Sequence, residues 1–458
     1  MKKLLPGLAG CILFVFLQGS VAAQAASKEQ ELAAEIERLK TVIAEEQKVL
    51  AGCMSRLEAL EEAKEEAEEE REKAEAEKIH FKGDFRYRYE RINAENDKPL
   101  RKGVRGALMP PSEDNERDRH RIRLRLGAEY FVNPEVTIAT RIASAMGGDP
   151  VSTNQSLTDG FSKKDLWIDL AYFDYHPLKA PGLNVFGGKM LNPYYKPGGT
   201  QLVWDDDLTP EGLAAVYVYP KFEPWEFGGA AGYFQVEERK VDRDANLLGL
   251  QGTVKLNLLE DGRASVLGGL SYYDYEGAEG YPVFWDDEDN FGNSLSLAVL
   301  NGLGFYADDY DLVEGFLEFT YPLGKYPFII YGDYVVNVAA GDPFFDTGDD
   351  DTGWAAGVGL GKCKAPGSWA LKYEYRDVER DAVVGVFTDS DFGGGGTNAR
   401  GHIFGASYML LKNVQLAATY FDVENRGSDY LRLLPVWGSA ENVDGDYRRL
   451  QLDVKFKF

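Results

Sequence analysis

Cysteine is scarce. Cys11, Cys53 and Cys363 are the only three in 458 residues, too few and too scattered for a disulfide framework. Basic residues are also short, 50 against 75 acids, and the net charge of −25 argues against nucleic-acid binding, which needs a basic surface. Long apolar runs are missing. A mean hydropathy of −0.34 excludes a helical membrane protein, and the marked apolar stretch Leu4 to Leu17 is too short to span a bilayer. Histidine is limited to His80, His120, His176 and His402, and no motif sets any of them beside a nucleophile, so an enzyme is not expected. None of these absences bears on a β-barrel, in which only every second residue of a strand faces lipid.

What is present divides the chain into three parts. Lys2 and Lys3, the apolar run and the small-residue site Ala23-Gln24-Ala25 read as a signal peptide over 1–25, which implies export. Leu8-Ala9-Gly10-Cys11 spells a lipobox-like string, but the apolar run continues past Cys11, which argues against lipidation.

Residues 26–79 follow as a predicted periplasmic coiled-coil helix. Ile36, Ile43, Leu50 and Leu57 share heptad position a, and Leu32, Leu39, Cys53 and Leu60 share d, with Glu46 interrupting the d series. Later the frame weakens: Ala67 and Ala74 hold d while Lys64, Arg71 and Lys78 take a, so i,i+4 Glu/Lys pairs carry the helix there. Ile at a with Leu at d favours two strands. A solvated single helix is the plainer alternative.

From residue 80 the period changes to two. Phe81, Gly83, Phe85, Tyr87 and Tyr89 alternate with Lys82, Asp84, Arg86, Arg88 and Glu90, as a lipid face backed by a watery lumen requires. Near 117–131, His120, Ile122, Leu124, Leu126, Ala128 and Tyr130 share one face and Arg119, Arg121, Arg123 and Arg125 the other. Further strands follow to 446–458, joined alternately by short turns such as Asn133-Pro134 and by long acidic connections. That alternation predicts an all-β transmembrane antiparallel barrel of about sixteen strands over 80–458, preceded by the helical segment, with the short turns and both ends of the barrel in the periplasm.

The strings Gly188-Lys189-Met190-Leu191-Asn192-Pro193, Leu202-Val203-Trp204-Asp205, Thr209-Pro210-Glu211-Gly212, Asp381-Ala382-Val383-Val384, Phe387 to Phe392 and Arg400-Gly401-His402 resemble the bacterial family described as "putative porin". The resemblance covers roughly residues 80 to 458. It implies an outer-membrane porin: a water-filled channel for passive diffusion of small hydrophilic solutes and ions, with no assigned solute. It also implies a homo-oligomer, a trimer ahead of a dimer, although the heptads alone leave this open. Leu450 to Phe458 resembles the closing strand of outer-membrane proteins, with Phe458 read by the barrel-assembly machinery.

In general porins the third external loop folds inward, which here points to 191–209 with Asp205, Asp206 and Asp207. Opposite it, Arg86, Arg88, Arg119, Arg121, Arg123 and Arg125 form a pore-lining basic strip. Acids facing bases would set up a transverse field; alternatively, the arginines pair locally and stiffen the wall. The acidic stretches Asp286 to Asp289 and Asp349 to Asp351 lack the ordered spacing of a calcium loop and read as solvated. No metal or cofactor is expected; the expected partners are outer-membrane lipids and lipopolysaccharide. The rival reading is an envelope protein whose coiled coil tethers or spaces the outer membrane, with transport secondary.

Overall fold

The computed structural model describes residues 28–58, 60, 61, 64, 78–95, 115–219, 222–286, 289–296, 305–341, 350–426 and 445–458. The signal segment with Cys11, the late heptad positions Ala67, Arg71 and Ala74, and Asp287, Glu288 and Asp349 lie outside them. The chain forms two units, one up to Glu77 and one from Lys78 onward.

In the first unit the helix runs unbroken from Lys28 to Glu58. Its a and d side chains, Leu32, Ile36, Leu39, Ile43, Leu50 and Leu57, are all exposed in the single chain.

The second unit is one closed antiparallel sheet. Its long strands are β1 (Ile79–Ala94), β2 (Asn115–Asn133), β3 (Val136–Ser144), β4 (Leu166–Tyr175), β5 (Leu183–Lys189), β6 (Glu211–Val218), β7 (Trp225–Glu237) and β8 (Ala245–Asn257). They continue as β9 (Ser265–Glu276), β10 (Tyr310–Leu323), β11 (Tyr326–Asn337), β12 (Thr352–Gly361), β13 (Trp369–Val378), β14 (Ala399–Leu411), β15 (Val414–Asn425) and β16 (Gly445–Lys457). A two-residue loop segment, Gln155–Ser156, pairs with Ile122 and Arg121 of β2, beyond the reach of β3. Each strand pairs with its neighbours in sequence, and β1 pairs with β16, so the sheet has no free edge. Lipid demands that closure, because an unpaired backbone group in hydrocarbon has no water to bond.

The predicted strands near 117–131 and 446–458 lie within two residues of β2 and β16, because the period-two pattern and its turn residues mark each end. Short turns such as 134–135, 324–325 and 412–413 alternate with long connections such as 145–165, 190–210 and 379–398. Leu213, Leu250, Leu270, Leu317, Ile330 and Leu371 are exposed on the outer face, as lipid contact requires.

Inside, the long connections fold in against the wall. Trp204 stands edge-on to Tyr273 at 5.0 Å and stacks with Tyr194, while Phe387 stacks between Tyr275 and Phe284 at 6.2 and 6.0 Å. Leu202, Val283, Tyr306 and Val384 are buried in the same apolar cluster. An apolar filling therefore occupies the lumen beside β6 to β13. Glu314, Asp333, Glu374 and Arg376 are buried among it on β10, β11 and β13, and a denser charged stretch of wall lies on β1, β2 and β16.

Candidate functional site

Alternation turns Arg86, Arg88 and Glu90 of β1 inward, together with Arg119, Arg121, Arg123 and Arg125 of β2. The register sets Asp84 opposite Arg125, Arg86 opposite Arg123, Arg88 opposite Arg121 and Glu90 opposite Arg119. On the other side of β1, Lys455, Asp453 and Gln451 of β16 face Arg86, Arg88 and Glu90. Two successive cross-strand pairs thus carry like charge, which is destabilising without acids nearby.

The acids are close. Asp453 takes Nε and Nη2 of Arg88 at 2.7 and 2.9 Å, a two-point fork. Asp84 accepts from Arg123 at 2.8 Å through one oxygen and from Arg125 at 2.7 Å through the other. Glu90, fully buried, accepts from Arg119 and from Arg449 at 2.6 Å and lies 3.6 Å from Arg121. All six predicted arginines therefore sit on one inward surface, and most are locally paired.

The loop 190–210 brings one of its three predicted acids to this surface. Asp207 lies 3.1 Å from Arg125 Nη1 and 3.8 Å from Arg123 Nη1, and accepts from Thr153 Oγ1 at 2.9 Å. Burial opposes its ionisation, but Arg123 and Arg125 outweigh it and hold the carboxyl below the usual range.

The expectation that Asp205 and Asp206 also face the arginines is corrected. Asp205 is buried and turned back into the loops, accepting the N–H of Asp207 at 2.7 Å and of Ser390 at 2.9 Å. Burial, with Asp207 and Asp389 nearby, pushes its carboxyl well above the usual range. Asp206 is largely exposed and pairs with Lys196. Asp289, expected in a solvated acidic stretch, is buried and caps the N–H of Phe291.

Sequence reasoning missed a second inward loop, 379–398. Asp391 lies 2.7 Å from Arg449 and 3.2 Å from Arg88, and accepts from Gln451 at 2.9 Å. Asp389 takes Arg376 Nη1 at 2.8 Å, and Arg376 also forks onto Glu374. The two loops are clasped together: Thr388 Oγ1 donates to the carbonyls of Gln201 and Leu202, and the N–H of Asp205 donates to Phe387 O. Arg449 and Asp453 were legible, since they alternate with the apolar face of β16. Asp391 belonged to a recognised string, but nothing in that string says that the loop folds inward.

Of the remaining predicted residues, Phe458 extends the β1–β16 ladder through reciprocal backbone bonds with Gly83, at 2.8 and 3.0 Å, and its ring is exposed. His120 and His402 face outward, each with a tyrosine hydroxyl at 2.9 Å from Nδ1, from Tyr87 and Tyr373. Among the described residues, no three His, Cys, Asp or Glu side chains are grouped to hold a metal ion.

A family model described as "Putative porin" matches residues 55–287 and 331–431, more than half of the chain. The chain belongs to this putative porin family. This porin is an outer-membrane channel protein. No curated protein matches it. Among solved structures it is similar to the outer-membrane channel DcaP of Acinetobacter baumannii, at 12% identity over 83% of this chain and 97% of that one, with a TM-score of 0.44. It is similar also to OprB of Pseudomonas putida, at 10% identity over 83% of this chain and 94% of that one, TM-score 0.48. A third is OmpF of Salmonella typhi in complex with daunomycin, at 12% identity over 83% and 97%, TM-score 0.44.

Proposed function

We propose that small hydrophilic solutes and ions diffuse through this porin along the β1–β2–β16 wall, where loops 190–210 and 379–398 narrow the lumen. The observation that carries this reading is the Asp207–Arg125 contact, which joins the inward loop to the arginine strip of β2. The aromatic filling beside β6 to β13 supports it, because it takes up the lumen beside those strands. Charged groups lining a narrow passage set ion selectivity.

The exposed a and d side chains of the helix support self-association through that segment, a trimer being the assembly the porin resemblance favours. Alternation of short and long connections supports a periplasmic position for the turns and for the helix that precedes β1. Outer-membrane lipid and lipopolysaccharide are the proposed partners of the apolar outer wall, and the barrel-assembly machinery that of Phe458.

The test is planar-bilayer recording of the purified protein in asymmetric salt. Stepwise conductance is expected, and its absence would sink the reading. Deleting residues 28–78 should leave the step size unchanged; loss of envelope integrity without any change in conductance would favour the tether.

A further inference from the structure

The register places three cations side by side across three strands: Lys455 of β16, Arg86 of β1 and Arg123 of β2. The acids around this row are already engaged. Asp453 gives both oxygens to Arg88, and Lys455 lies 3.3 Å from it. Asp84 divides its oxygens between Arg123 and Arg125, and Asp207 rests against the same two. Among the described residues Arg86 at the centre has one carboxylate within 4.0 Å, Asp453 Oδ2 at 4.0 Å; Asp207, its other acidic neighbour, is already held by Arg123 and Arg125. Its Nη2 donates to Asn154 Oδ1, a neutral acceptor from loop 145–165.

Arg86 is 6% exposed, and its Nε has no hydrogen-bond partner among the described residues. Arg121, one row along, repeats the pattern: among the described residues its Nε is unpartnered and its nearest carboxylate is Glu90 at 3.6 Å, and its Nη2 donates to Ser152 Oγ at 3.4 Å. A buried guanidinium without a close counter-charge is costly. Its planar fork matches an oxyanion in shape and charge.

We propose that Arg86, flanked by Lys455 and Arg123, is an anion subsite of the channel that takes the carboxylate or phosphate group of a passing solute. The inference rests on the porin reading and deepens it, giving the channel a preferred solute class. Binding must stay weak enough for release, so the subsite concentrates anions and does not trap them.

The test is single-channel recording of the full-length protein in potassium chloride, titrated with inorganic phosphate in one arm and with acetate in the other. A saturable fall in chloride current is expected in at least one arm. The arm that responds names the group, and a response in both means a general oxyanion site. Arg86→Gln should raise the half-blocking concentration about tenfold.

Asn154→Ala lies in a loop outside the barrel strands and removes the acceptor that holds the Arg86 fork; it should raise that concentration about threefold. If Arg86→Gln does not assemble, Asn154→Ala decides alone. Outward-facing Arg91→Gln should change nothing, and an equal shift there would overturn the proposal. So would non-saturating current in both arms, or block unaltered in the variants. Absence of any conductance would instead overturn the porin reading itself.

Discussion

The carboxylate of Asp207 lies 3.1 Å from the Arg125 guanidinium across 82 residues of sequence. This contact fixes a long loop against the inner face of β2. Around it the charges are uneven, because Asp207 also serves Arg123 and Asp84 is shared between the same two arginines.

Asp207→Asn removes one negative charge from that surface and leaves the arginines in place. The channel should shift toward anions, with the chloride-to-potassium permeability ratio rising roughly two- to fivefold. Asp206→Asn should shift it less, because that side chain is largely exposed and screened. Reversal potentials in asymmetric potassium chloride measure both. An unchanged potential in Asp207→Asn would remove loop 190–210 from the ion path.

Asp205 acts on loop order instead. Asp205→Ala strands the N–H groups of Asp207 and Ser390, at a cost of about 1–3 kcal/mol for each that stays buried and unpaired. The expected result is a noisier open-channel current and faster protease cleavage within 191–209, with the barrel still folded. Quiet traces and an intact loop would show that Thr388 and the aromatic stack hold the clasp without it.

Asp381 carries a pH dependence. It is buried between Ser294, whose N–H and hydroxyl donate to it, and the Tyr310 hydroxyl, and burial pushes its carboxyl up to about 6. The folded state therefore holds the proton to higher pH than the unfolded chain does. Packing of Ser294 and Tyr310 against loop 379–398 is favoured at low pH, loses support as pH rises from 3.8 to about 6, and is level above that. The difference is about 3 kcal/mol. Asp381→Asn keeps an oxygen for Ser294 and Tyr310 and never ionises. Its thermal midpoint should equal or exceed that of the native chain at pH 7.5 and lose any advantage at pH 4.5. A gap between the two that does not change with pH would refute the assignment.

The strands were legible because lipid and lumen impose a period of two, and the short turns end each run. The arginine strip was legible for the same reason, since a basic residue at every second position of β2 can only share a face. Loop seating was not. Whether Asp205 faces the arginines or the backbone of Ser390 depends on a contact 185 residues away, and no local pattern encodes it. The apolar filling was hidden likewise: Trp204, Tyr273 and Phe387 lie far apart in sequence and meet only once the barrel has closed.

Gly198 offers a test of how the inward loop is seated on the far wall. Its N–H donates to Glu318 at 2.7 Å, beside the Tyr195 hydroxyl on the same carboxylate. Its φ is +58°, and a Cβ there would fall 2.1 Å from ring carbons of Tyr331, whose hydroxyl is held by Glu374 at 2.6 Å. Neighbouring Gly199 has φ +64°, yet its Cβ would meet nothing within 4 Å. Alanine at either position bears a similar backbone cost, about 1–2 kcal/mol. Only Gly198→Ala must also push the loop off β11, toward the arginine strip. Single-channel conductance should therefore fall in Gly198→Ala and stay near the native value in Gly199→Ala. Equal behaviour of the two would mean that backbone strain alone, and not the close approach to Tyr331, governs how far the loop reaches into the lumen.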